Sequence, residues 1–199
     1  MTLYDFGLRF AAPFFRFILR VHSDGASQIP EAPLIVCTNH RSNADPIILG
    51  ASFPRQICYM AKAELFKVPI LGGLITALGA FPVNRGAGDG KSLDAASRVL
   101  KSGKVLGVFP EMHRNRAKTG LMRFHSGALR MADQTGVPLL PAAIIREKGI
   151  WPFRRIYMVF GSPVTAEELG YSKTDPKSRH EACARLREKV WHLMEENRQ

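Results

Sequence analysis

The chain has 199 residues, of which 46% are hydrophobic and 23% charged, an ordinary balance for a globular protein. That composition excludes a disordered, collagenous or low-complexity chain, and the length fits one domain with at most an appendage. The formal net charge of +11 points to an anionic partner: a phosphorylated substrate, an acidic protein, a membrane surface or nucleic acid. The three cysteines, Cys37, Cys58 and Cys183, match neither a zinc pattern nor a disulfide framework, which favours a reducing compartment.

Residues 3–21 read LYDFGLRFAAPFFRFILRV. Nothing here approaches the roughly 18 apolar residues of a spanning helix, and the stretch lacks the flanks of a secretory signal. On a helix, Asp5, Arg9, Arg16 and Arg20 fall within about 60° of one another, opposite a phenylalanine-rich surface. Two uses fit this stripe: docking at a lipid–water boundary, or packing on a core with the charges in solvent. Pro13 breaks or kinks the segment.

Residues 22–33 read as a turn-rich connector, and 34–39 (LIVCTN) as a buried strand. Pro46 opens a helix with Asp45 in the capping position. A strand is expected over 56–61, an apolar helix over 69–79 and a short strand over 80–83. The loop after it, which contains RGAGDGKS, invites a phosphate-loop reading. The required glycine five residues before Gly90 is Arg85, so the motif fails. Helices follow over 92–102, 126–136 and 176–197, with strands over 104–109, 138–145 and 155–160. Strands alternating with helices define an α/β layer architecture.

Two groups of residues carry chemistry. The first is His40 and Asp45, just past the first buried strand, where open α/β sheets place ligand sites. If the segment turns, Asp45 can bond one imidazole nitrogen and leave the other for a substrate proton. The alternative is a loop histidine beside a helix-capping aspartate. The second is a strip from Met112 to Arg130 that holds Arg114, Arg116, Lys118, Arg123 and Arg130 and no acid. Arg114 and Arg85 each lie just beyond a strand end and suit phosphate binding; a solvated basic face is the alternative. Glu111 fits either a partner for Arg114 or a second acid. No His, Asp or Glu cluster has the spacing of metal ligands. The aromatic residues are not interleaved with the basic strip, which argues against nucleic acid.

Asn39-His40-Arg41-Ser42-Asn43-Ala44-Asp45 resembles the N-H-x-x-x-x-D block of the glycerolipid acyltransferases, in particular the bacterial 1-acylglycerol-3-phosphate acyltransferase group. The likeness continues, in family order, through MAKAELFKVPILGGLITALGAFPVNR, VFPEMHR, RFHSGALRMA and VPLLPAAI, over roughly residues 30–165. It implies the α/β fold of that family, a mostly parallel or mixed central sheet flanked by helices. The domain is then expected over 31–199, after an amphipathic membrane-docking segment over 1–30. It implies that His40, oriented by Asp45, deprotonates the free hydroxyl of a lysophospholipid acceptor, which attacks an acyl thioester of coenzyme A or acyl carrier protein. No acyl-enzyme, cofactor or metal is implied. Glu111, Arg114, Arg85 and Lys62 would hold the glycerol phosphate. The chain would sit peripherally on the cytoplasmic face of the cell membrane, without a transmembrane helix. The sequence departs from the family pattern at Met112-His113, where the family has Gly-Thr, and at Asn84, where it has an acid. His113 thereby becomes a further candidate contact to the acceptor, and acceptors other than lysophosphatidate stay open. A protein that keeps the fold and binds lipid without catalysis is the competing reading.

Overall fold

A computed structural model describes Pro13, Phe17 and residues 20–83, 89–117, 119–147 and 155–197. In chain order these form β1 (Val21–Asp24), β2 (Ile35–Thr38), α1 (Asp45–Ser52), β3 (Ile57–Lys62), α2 (Leu71–Ala77), β4 (Ala80–Val83) and α3 (Asp89–Lys101). They continue with β5 (Val105–Val108), α4 (Gly127–Thr135), β6 (Leu139–Arg146), β7 (Ile156–Phe160) and α5 (Pro176–Glu196). The strands make one seven-stranded sheet of order β1-β7-β6-β2-β5-β3-β4. The pairing is parallel except between β6 and β7, so the sheet is mixed, as expected.

Both faces of the sheet are covered, which is why β2, β5 and β6 read as unbroken apolar runs. Alternation along β2 sends Ile35 and Cys37 to the face packed by α3, α4 and α5. Leu34 and Val36 go to the opposite face, against Ile48, Leu49 and Phe53. Each fully buried Leu or Ile contributes about 1.5–3 kcal/mol of transfer free energy. All three cysteines are free and buried. Pro82 is tolerated in β4 because that strand is an edge, with no neighbour on one side among the described strands.

Gly107, in the buried centre of β5, has a specific reason. A Cβ there would come within 2.5 Å of the Tyr59 ring on β3. The glycine lets Tyr59 cross it, and the Tyr59 hydroxyl donates a 2.9 Å hydrogen bond to the Pro46 carbonyl. The first turn of α1 is thereby tied to the sheet.

Two expectations are corrected. The connector expected over 22–33 begins with a strand, since β1 pairs in parallel with β7 at the sheet edge. β1 is four residues long and only Val21 is buried, so it carries no apolar run to read. Asp45 does not cap α1, which starts from Ala44 with no side-chain cap; its carboxylate turns back onto the preceding loop. The N-terminal segment lies outside the described residues except for Pro13 and Phe17 and the residues from Arg20 onward. No described helix is long and apolar enough to cross a membrane.

Candidate active site

β2, β5, β3 and β4 run parallel, so their C-terminal ends share one edge of the sheet. His40 lies just beyond β2 on this edge. The chain then turns through Arg41–Ala44, closed by a 3.2 Å bond from the Asp45 amide to the Ser42 carbonyl. This turn brings Asp45 back under His40, and His40 Nδ1 meets Asp45 Oδ2 at 2.9 Å. The same oxygen accepts the backbone N–H groups of Arg41 (2.6 Å) and Ser42 (2.7 Å). The other oxygen, Oδ1, accepts from the guanidinium of Arg146 at the end of β6.

Asp45 is fully buried. Burial alone would raise its carboxyl, but the His40 hydrogen bond, the Arg146 charge and the two backbone donors together hold it below the ordinary value. An ionised Asp45 accepts from Nδ1–H, so in the neutral imidazole the proton sits on Nδ1 and Nε2 keeps its lone pair. The His40 side chain is 18% exposed, and its ring lies 4.4 Å from the Phe109 ring, centroid to centroid. A carboxylate-oriented imidazole with an open nitrogen is equipped to take a proton from a bound hydroxyl.

The loop after β5 locks onto this unit. Glu111 is buried, and its two oxygens accept the backbone N–H groups of His40 and Met122, each at 2.8 Å. Glu111, expected beside the acceptor phosphate, braces two loops through these bonds. The backbone amide of buried Asn115 donates to the His40 carbonyl at 2.7 Å. Between these anchors, Met112, His113 and Arg114 are exposed. Met112 has φ of 60°, so the left-handed turn survives where the family pattern has glycine. Holding a side chain in that conformation costs about 1 kcal/mol. Met112→Gly is therefore expected to stabilise the fold by about 0.5–1 kcal/mol in chemical denaturation. A loss of stability would mean that the methionine side chain holds the loop.

Lys62 is exposed at the C-terminal end of β3, on the same edge but two strands from β2. Arg85 and Asn84 lie outside the described residues. Of the basic strip, Arg114, Arg116 and Arg123 are exposed, and Arg123 contacts His180 of α5 at 3.0 Å.

The sequence reading missed two residues. Arg146 neutralises Asp45; its only signal was a cation ending an otherwise apolar strand. Asn39 is buried, and its amide pairs with the N–H and C=O of Ile144 at 2.7 and 2.9 Å. It continues the β2–β6 pairing by one residue beyond the point where the backbone turns off toward His40. Among the described residues no group of His, Cys, Asp and Glu could hold a metal ion.

An open α/β sheet with a carboxylate-oriented histidine at its C-terminal edge is an arrangement equipped for general-base chemistry. A family model described as Acyltransferase matches residues 20–145. The chain is 38% identical over 142 residues to the 1-acyl-sn-glycerol-3-phosphate acyltransferase of Bacillus subtilis, covering 69% of each protein. It is 28% identical over 134 residues to the protein of the same name from Borreliella burgdorferi, of which it spans only about half, 51%. The crystal structure of the 1-acyl-sn-glycerophosphate (LPA) acyltransferase PlsC from Thermotoga maritima superposes with a TM-score of 0.71. There the identity is 26%, with 98% of this chain and 82% of that one covered. The chain belongs to the acyltransferase family and is an enzyme of that class.

Proposed function

We propose that this acyltransferase moves a fatty acyl group from an acyl thioester to the free 2-hydroxyl of 1-acylglycerol-3-phosphate, giving phosphatidate. The observation that carries the reading is the 2.9 Å bond between His40 Nδ1 and buried Asp45, which orients the ring and leaves Nε2 outside that contact. Nε2 takes the hydroxyl proton as the oxygen attacks the thioester carbon. Asp45 stabilises the imidazolium as it forms. Collapse of the tetrahedral intermediate breaks the carbon–sulfur bond, and the imidazolium returns its proton to the departing thiolate. The thiol belongs to coenzyme A or to acyl carrier protein. Exposed Arg114, set between the two loop anchors, binds the acceptor phosphate, with His113 beside it and Lys62 and Arg85 as further cations. Glu111 and Arg146 are positioning residues. The names of the bacterial relatives support this acceptor. We place the protein peripherally on the cytoplasmic face of the cell membrane, held there by residues 1–30.

The test is thiol release from long-chain acyl-CoA and acyl carrier protein by the purified full chain, with and without 1-acylglycerol-3-phosphate. Release that depends on the acceptor, with phosphatidate as product, is expected. Release only with another lysolipid would move the acceptor assignment. Arg114→Ala should raise the acceptor KM about tenfold or more, the worth of a charge-assisted phosphate contact, and leave the donor KM alone. An unchanged acceptor KM would place the phosphate elsewhere.

A further inference from the structure

The crossover from β3 to β4 concentrates apolar surface. Six of the ten exposed large hydrophobic side chains among the described residues are Leu65, Val68, Ile70, Leu71, Leu74 and Leu78. Leu71, Leu74 and Leu78 fall on one face of α2, and Ile70 lies one turn above Leu74. Ile70 is 92% exposed, in a left-handed backbone conformation with φ of 68° that β-branched residues avoid. The surface is not a loose loop. Gly72 is buried so close to the Phe66 carbonyl that a Cβ would come within 2.3 Å of its oxygen, and this locks α2 against the 3-10 turn Ala63–Lys67.

A contiguous exposed apolar surface this concentrated marks an interaction site. Its charge identifies the occupant. Between residues 46 and 88 the only acid is Glu64, against Arg55, Lys62, Lys67 and Arg85. Lys62 and Lys67 are exposed at the start of the apolar stretch. An apolar face with a cationic border is the pattern that inserts into the headgroup–acyl boundary of an anionic bilayer. The surface begins where β3 ends, on the sheet edge that also carries His40 and Arg114.

We propose that this crossover is a lipid-docking surface of the catalytic domain, distinct from residues 1–30, which seats the His40 edge against an anionic bilayer. Its purpose, delivery of a bilayer-resident acceptor, rests on the lysophospholipid reading above; the surface itself does not.

The test uses the full chain and vesicles of phosphatidylglycerol and phosphatidylcholine. The double variant Ile70→Glu, Leu74→Glu changes two exposed side chains and should weaken vesicle partitioning about tenfold or more, because two inserted apolar groups are lost. Thiol release with 1-hexanoylglycerol-3-phosphate, a soluble acceptor, should be unchanged without vesicles. In a separate variant, Ile70→Trp, the emission of the introduced indole should shift to the blue on vesicle addition and be quenched by brominated lipid. Undiminished partitioning by the double variant, or an introduced indole whose emission is blind to lipid, would overturn the proposal. A wild-type dimer dissolved by the double variant, with vesicle binding intact, would reassign the surface to a second copy of the chain. Absence of thiol release by wild type with any acceptor would sink the enzymatic reading and leave the vesicle result standing.

Discussion

His40→Ala is expected to abolish turnover while the protein stays folded. The imidazole is the one described group at the C-terminal end of β2 whose free nitrogen is held at the sheet edge by a buried carboxylate. Removing a positioned general base costs about 10²–10⁴ in rate. The ring sits on a loop and its side chain is 18% exposed, so the loss should not spread to the core. The backbone of residue 40 keeps its bonds to Glu111 and Asn115 in the variant. The measurement is acceptor-dependent thiol release beside a thermal melt. A melt matching wild type with no detectable release is the expected pair of results. Near-wild-type release would remove His40 as the base.

Asp45→Asn should be nearly as damaging to rate and far more damaging to the fold. An amide can present a donor to Nδ1, which releases the imidazole from the productive tautomer; about 10³–10⁴ in kcat is the scale for that defect in carboxylate–histidine pairs. The variant also leaves the part-buried Arg146 guanidinium without its counterion. Breaking a buried pair from one side costs about 3–5 kcal/mol. Adding Arg146→Met removes the stranded charge and should restore much of the stability but none of the rate. That divergence separates the two roles of one carboxylate, and recovery of activity in the double variant would contradict it. The pH dependence follows from the depressed Asp45 carboxyl. A lowered folded value means that the unfolded chain binds the extra proton first, so the stabilisation is whole above the ordinary carboxylate range and is lost as pH falls through the folded value. Wild type should therefore lose stability in acid more steeply than Asp45→Asn.

The contact between His40 and Asp45 was legible in the sequence: a strand of continuous apolar residues has an unambiguous end, the fold places ligands at such ends, and the resemblance to the N-H-x-x-x-x-D block marked the two residues. The buried strands β2, β5 and β6 were found because two-sided burial leaves a strong apolar signal. β1 was not, because an edge strand with one buried residue leaves none. The bracing bonds of Glu111 were not foreseen from the sequence. A charge in a loop says nothing about whether its oxygens are already satisfied, and here both are taken by backbone amides 71 and 11 residues away. Arg146 was missed for a related reason: its partner lies 101 residues earlier, and no local period encodes that distance. The capping role expected for Asp45 lost to three donors on the preceding turn.

The two anchors on the loop after β5 divide its positions by tolerance to substitution. Residues 111 and 115 hold the backbone of His40 from below, so changes there would retune the reaction itself. Residues 112–114 between them face solvent. On the proposed reading of Arg114 as the phosphate contact, a lineage can vary those three positions to follow a new headgroup while the bonds that hold His40 stay fixed. Methionine and histidine at the places of the family's Gly-Thr are the kind of replacement such a division permits. A library restricted to 112–114 would test that reading by altered acceptor preference with the His40 anchors intact.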